Sequence, residues 1–219
     1  MNIDTSTQAI IGMLFEGVAQ TVLVTVLAYA LATLLAVPIV YCRLSRLAFL
    51  RAVGTAYVEL FRGLPSLVMV LFIYFGLSGF MRFEPVPAAV LGLALTNAAY
   101  LAEYFRAGIE SVPVGQWEAA SALSLTQRQL FWNIILPQGI SVSIPPATSQ
   151  AIGLLKESAV ISAIGVADIT FQALSAAHRG SPPIELFLIA GALYLLLSIP
   201  IAAVSRFAET RLRKGRAAA

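Results

Sequence analysis

Of 219 residues, 59% are hydrophobic and only 11% are charged, and the mean hydropathy is +0.86. A soluble globular domain carries roughly 25% charged residues, so the composition excludes an ordinary water-soluble domain with a polar shell. The single cysteine, Cys42, excludes an internal disulfide and a cysteine-based metal site, and a formal charge of +3 gives no argument for nucleic acid, because the basic residues lie where membrane topology places them.

In chain order, residues 1–16 contain no basic residue and carry Asp4 and Glu16. That is unlike the positive start of a cleaved signal peptide, so the first span is expected to be retained. Residues 17–42, 63–81, 85–102, 129–155 and 186–205 hold no Asp, Glu, Lys or Arg. Each run reaches about 18 residues or more, enough to cross a hydrocarbon core of roughly 30 Å as a helix. The expectation is an all-α membrane protein with five transmembrane helices, at about 17–42, 53–81, 85–105, 134–156 and 185–206. Residues 1–16 would form an extracytoplasmic segment, 17–209 one transmembrane domain, and 210–219 a basic cytoplasmic tail. The mixed stretch 52–61 is read as the second helix continuing towards the cytoplasm. Pro137, Pro145 and Pro146 should each disrupt the fourth span, since proline removes a helical donor and clashes one turn back. Such breaks survive at membrane depth only where protein or water satisfies the freed backbone groups. That points to a span packed against a partner or lining a pathway.

Basic residues in the short loops set orientation. Arg43, Arg46 and Arg51 follow the first span, Arg106 and Arg128 lie between the third and fourth, and Arg206, Arg211, Arg213, Lys214 and Arg216 follow the fifth. These ten face only two on the other side, Arg82 and Arg179, while Arg62 and Lys156 sit at span edges. The amino terminus is expected outside and the carboxyl terminus inside.

The longest inside connection runs from about Phe105 to Asn133. Trp117, Ala119, Ala120 and Leu123 have helical spacing, so a short amphipathic helix should begin near Gln116. Its two adjacent alanines keep one face small enough for another surface to approach closely. Such a helix suits docking into a partner's groove or lying on lipid, and periodicity favours neither.

Glu118-Ala119-Ala120, followed by Ile134, Leu136 and Pro137, resembles the EAA loop (residues 111–137 here) of binding-protein-dependent ABC importer permeases. That pattern is Glu-Ala-Ala, three residues, Gly, nine residues, Ile, one residue, Leu-Pro; every spacing fits, and the glycine position is Ser124. Further segments resemble the polar amino acid subfamily, which takes histidine, glutamine, arginine or opines: the stretch from Tyr57 through Glu59 and Arg62 to Pro65, the stretch from Asn97 through Glu103 to Gly108, and Leu154-Leu-Lys-Glu-Ser158. In the last of these, relatives carry Lys-Asp-Thr or Lys-Asp-Ser, so Glu157 keeps the charge and adds a methylene. The resemblance covers nearly the whole chain. It implies a type I ABC importer permease in the bacterial cytoplasmic (inner) membrane, paired with a second copy or a homologous permease. It also implies nucleotide-binding ATPase subunits on the cytoplasmic side and an extracytoplasmic binding protein that delivers amino acids. Gln116, Trp117, Glu118, Ala119, Ala120, Leu123 and Ser124 would couple this chain to the ATPase. No Gly-rich phosphate loop ending in Lys-Ser/Thr occurs here, so ATP and magnesium would be held by that partner, with no cofactor and no catalytic residue in this chain.

Ionisable groups within spans are costly and are functional candidates by default. Glu59 and Arg62 are three apart, as are Glu103 and Arg106, so each pair can share a helix face and neutralise itself. Gly63-Leu64-Pro65 breaks the helix after Arg62, and such breaks expose backbone dipoles to a charged substrate. Arg62 is the candidate for a substrate carboxylate by bidentate bonding, helped by Ser66, with Leu64 beside it and Glu157 for an ammonium group. Against this stands a purely gating or packing role for Lys156 and Glu157. His178 is the only histidine, and a lone loop histidine is most often just solvated. The rivals are a membrane-embedded enzyme, for which the acidic residues are too scattered, and a self-contained channel or secondary transporter, for which five spans without an internal repeat make a poor complete pathway. Within the importer class, another small polar solute is the alternative cargo.

Overall fold

The computed structural model describes residues 5–217, and among them it holds helices and turns with no β-strand. The helices are α1 (Thr5–Leu44), α2 (Ala48–Gly63), α3 (Ser66–Leu71), α4 (Pro85–Glu110), α5 (Val114–Ala122), α6 (Gln127–Leu130), α7 (Leu136–Glu157), α8 (Ile169–His178) and α9 (Pro183–Ala217). Wide π turns continue α3 over Phe72–Gly76 and join α6 to α7 over Phe131–Ile135; a 3₁₀ segment, Ser158–Ile164, follows α7. Three helices are long and apolar enough to cross a membrane unbroken: Gly12–Leu44, Pro85–Glu110 and Pro183–Phe207. The count becomes five if each of two bent pairs is taken as one span, α2 with α3 and α6–α7 with α8.

The centre of the packing is α4, which lies against α1, α2, α3 and α7. Every fourth residue of α1 from Val24 through Ala28, Ala32 and Ala36 to Val40 is buried. Facing them, α4 buries Ala88, Ala89, Ala94, Ala98 and Ala102 with Leu93 and Leu101. Two small-residue faces let the helix backbones approach closely, which is how helices adhere in lipid, where no hydrophobic drive separates them from their surroundings. Where α4 crosses α7 the contact is backbone to backbone: a Cβ on Gly139 would meet the Cα of Ile109 at 3.2 Å. By contrast, the outer faces of α1 and α9 present Phe15, Leu34, Val37, Leu188, Leu195 and Val204 to the surroundings. That exposure suits hydrocarbon and would be an aggregation liability in water.

Two expectations about the spans are corrected. In the second, the break expected after Arg62 is there, but 52–61 does not continue the span in line, because α2 and α3 meet at 102°. Leu64 is extended at φ −95°, ψ 131°, as a residue before proline must be, and Pro65 follows at φ −62°, ψ 133°. In the fourth, the prolines do not interrupt α7. Pro137 directly follows the π turn Phe131–Ile135, so the irregularity does fall one turn back from it, whereas the helix continues through Pro145 and Pro146, a pair tolerated where neighbouring helices pack around it.

Candidate functional site

The connection from α4 to α7 folds on itself. Val112, Ala120, Leu130 and Ile135 form a small buried cluster, with Ile109, Leu125, Phe131 and Ile134 packed around it. Pro113 precedes α5 in an extended conformation (ψ 140°), so the helix starts at Val114, two residues before the sequence expectation. Ala120 is 1% exposed, whereas Gln116, Trp117, Glu118, Ala119, Leu123 and Ser124 are exposed. The two alanines therefore do not form one displayed face: Ala119 points outward and Ala120 roofs the cluster.

At the end of α5, Ser124 takes φ +55°, in the left-handed region. Its N–H donates to the Ser121 carbonyl at 3.0 Å, and the Leu125 N–H reaches back to the Ala120 carbonyl at 3.0 Å. These two bonds make a Schellman stop, with Leu125 and Ala120 in the same apolar cluster. A glycine fits this position for a backbone reason, and serine occupies it with a Cβ. Immediately afterwards Thr126 and Gln129 form a capping box: the Thr126 hydroxyl accepts from the Gln129 N–H at 3.3 Å and Gln129 Oε1 accepts from the Thr126 N–H at 2.9 Å. That turn was legible as Thr-x-x-Gln but formed no part of the sequence expectation.

Arg62, Leu64, Ser66 and Glu157, from the end of α2, the break, the start of α3 and the end of α7, line one open cavity of about 490 Å³, together with Thr96, Tyr100 and Val160. The Arg62 guanidinium lies over the Tyr100 ring, 5.3 Å from its centre, within cation–π range. Glu157 accepts hydrogen bonds from the Ser66 hydroxyl and from Asn97 Nδ2, the latter at 3.2 Å. Among the described residues neither Arg62 nor Glu157 has an ion-pair partner, and none joins Glu59 to Arg62 as the sequence suggested. Glu103 does pair with Arg106, but also with Arg43 of α1, so that cluster ties two helices together.

Sequence reasoning missed Tyr100, Asn97 and Gln150. Asn97 was the sole asparagine in the charge-free run 85–102, a usable signal. It also missed Asp168, fully buried, which caps α8 through the Phe171 N–H at 2.8 Å and accepts from the Tyr194 hydroxyl at 3.0 Å. Among the described residues no group of three or more His, Cys, Asp and Glu side chains is placed to hold a metal.

Apolar helices, a charged cavity between the α2–α3 break and the end of α7, and a displayed loop helix define a membrane transport component. Residues 29–214 match the family described as "Binding-protein-dependent transport system inner membrane component", and the chain belongs to it. Among curated relatives, the probable glutamine ABC transporter permease protein GlnM of Bacillus subtilis is 34% identical over 203 residues, covering 92% of this chain and 94% of the relative. The arginine transport system permease protein ArtQ of B. subtilis is 31% identical over 216 residues (97% and 99%). The octopine transport system permease protein OccM of Rhizobium radiobacter is 35% identical over 200 residues (86% and 81%). A crystal structure of an amino acid ABC transporter with histidines superposes with a TM-score of 0.89 at 33% identity, covering 96% of this chain and 100% of that one.

Proposed function

We propose that this chain is the permease subunit of an ATP-driven importer of amino acids, with residues 17–209 as its transmembrane domain. The observation that carries the reading is the cavity between the α2–α3 break and the end of α7, where Arg62 and Glu157 offer one positive and one negative group without ion-pair partners among the described residues. A zwitterionic amino acid presents the complementary pair, and relatives named for glutamine, arginine and octopine support that cargo class. A second permease subunit, this chain or a homologue, completes the pathway, and an extracytoplasmic binding protein supplies the substrate. The exposed side of α5, centred on Glu118, docks on the ATPase, which holds ATP and magnesium and transmits its closure through the loop. The basic asymmetry puts the amino terminus outside and α5 in the cytoplasm.

Uptake of a panel of labelled amino acids by the complex in liposomes tests the function; failure of every amino acid while another small polar solute moves would overturn the cargo. In a Cys42-free background, a cysteine at position 178 should label from outside and one at position 121 from inside. The reverse pattern would remove α5 from the ATPase's side.

A further inference from the structure

Asn97 is 1% exposed in the middle of α4, deep in a segment where a stranded polar group is costly. Its Nδ2 donates to the Leu93 carbonyl at 2.9 Å and to Glu157 Oε2 at 3.2 Å, and its Oδ1 accepts from Gln150 Nε2 at 2.7 Å. Gln150 Oε1 in turn accepts from the Tyr104 hydroxyl at 3.3 Å. Neighbours dictate both amide orientations. A carbonyl and a carboxylate offer only lone pairs, so Asn97 must turn its NH₂ towards them and its oxygen towards Gln150. Gln150 then has only its own oxygen left for Tyr104. Every donor along Tyr104, Gln150 and Asn97 thus points one way, and the series ends on a carboxylate that lines the cavity.

Ser66 holds the other Glu157 oxygen. Neutral donors from two helices, α3 and α4, therefore hold one oxygen each, yet neither cancels its charge. Among the described residues no cation lies within ion-pair distance of it. Such a group is fixed in direction and still unneutralised, which is what a cationic ligand group requires of its partner.

We propose that Asn97, Gln150 and Tyr104 are positioning residues that hold the Glu157 carboxylate as the subsite for the cationic group of the substrate. The inference rests on the cavity being the substrate site. None of the three touches the substrate in this scheme; each acts through Glu157, so its loss is felt only while Glu157 is present. A network that merely fastens α4 to α7 would instead act identically with or without that carboxylate.

The experiment is equilibrium binding of labelled L-arginine to the purified permease–ATPase complex without binding protein, so that the membrane site alone is read. Glu157→Gln is expected to weaken binding about tenfold or more, and Asn97→Leu or Gln150→Met, which keep the number of side-chain heavy atoms but remove the donors, about fivefold. Tyr104→Phe, at the far end, should cost about twofold. Combined with Glu157→Gln, the Gln150→Met substitution should add less than about twofold, because residues acting as one unit are not additive. Equal losses in both backgrounds, or none in either, would overturn the relay while leaving the cavity reading intact. Unchanged binding in Glu157→Gln would overturn the cavity reading itself. Should Asn97→Leu not assemble, Gln150→Met and Tyr104→Phe decide the matter.

Discussion

The loop around α5 and the cavity around Glu157 are built in opposite ways. The loop is local: its buried cluster draws only on residues between Ile109 and Ile135, and its stop and cap are made by residues at most five apart. The cavity gathers Arg62, Thr96, Tyr100 and Glu157 from helices distant in sequence, and it exists only once α4 has packed against α2, α3 and α7. A local unit can move as one piece and be recognised by a linear motif. A long-range site depends on helix register, so its geometry responds to any shift of α4 against α7. The two meet at those helices, because the loop connects the end of one to the start of the other.

Separating the two regions begins at the cavity, where the largest effects are expected. If the cavity is the substrate site, Arg62→Ala and Glu157→Ala each remove one charged contact to a desolvated substrate, worth on the order of 2 to 5 kcal/mol. Uptake at subsaturating substrate should fall at least about tenfold while the subunits still co-purify. Assembled variants with unchanged concentration dependence would remove both residues from the site.

Next in size is Gly108→Ala, which should damage both regions together. The added methyl would lie on the Ser143 hydroxyl and 2.5 Å from the Gly139 carbonyl oxygen. Overpacking of this kind costs typically about 1 to 3 kcal/mol, here at the upper end because a backbone atom must move. Gly153→Ala is the control, since nothing lies within 4 Å of its added Cβ. Melting of the purified complex compares them, and equal melting temperatures would mean that the α4–α7 crossing is looser than described. Smaller still, Glu118→Lys should affect the loop alone: it reverses an exposed charge, and ATPase association should weaken roughly fivefold through lost electrostatic complementarity. Pull-down of the ATPase measures this, and wild-type association with wild-type transport would remove the coupling role from Glu118.

Much of this contrast was legible beforehand, and for the same physical reason. Hydropathy flagged the apolar helices because hydrocarbon thickness sets the length a crossing helix needs. The loop was legible because its contacts are sequence neighbours, although spacing alone put both alanines on one displayed face and did not foresee that Ala120 closes the cluster. At the cavity, charge in an apolar run flagged Arg62 and Glu157, and the helix break flagged Leu64 and Ser66. Harder to read was what surrounds them: Tyr100 in the wall and Asn97 and Gln150 behind it are uncharged, and only the register between α4 and α7 brings Asn97 to Glu157 and Gln150 to Asn97. The pairing of Glu103 with Arg43 was hidden likewise, since spacing proposes partners on one helix and is silent about the next one. Pro145 and Pro146 show the converse error, a local rule overridden by packing around the helix.

The smallest effect tests whether the loop is truly self-contained. Ser124 sits at φ +55°, where a Cβ crowds the following carbonyl and a non-glycine residue is penalised by about 1 to 2 kcal/mol. Glycine escapes that penalty but loses more conformational freedom on folding, which offsets part of the gain. The net expectation for Ser124→Gly is stabilisation of about 0.5 to 1 kcal/mol, with the Schellman bonds to Ser121 and Ala120 retained. Ser124→Val should move the other way, because a β-branched side chain fits this region worst. Protection of the Leu125 amide in hydrogen exchange reads the stop directly, since that N–H is held by the Ala120 carbonyl at 3.0 Å. It should exchange more slowly in the glycine variant and faster in the valine variant. The Asn97 side of the molecule should show no change, because its hydrogen bonds run between α4 and α7 without involving the loop. If valine protects Leu125 as well as glycine does, the left-handed stop does not govern the loop. If the glycine variant alters protection around Asn97, the loop and the cavity are not separable units.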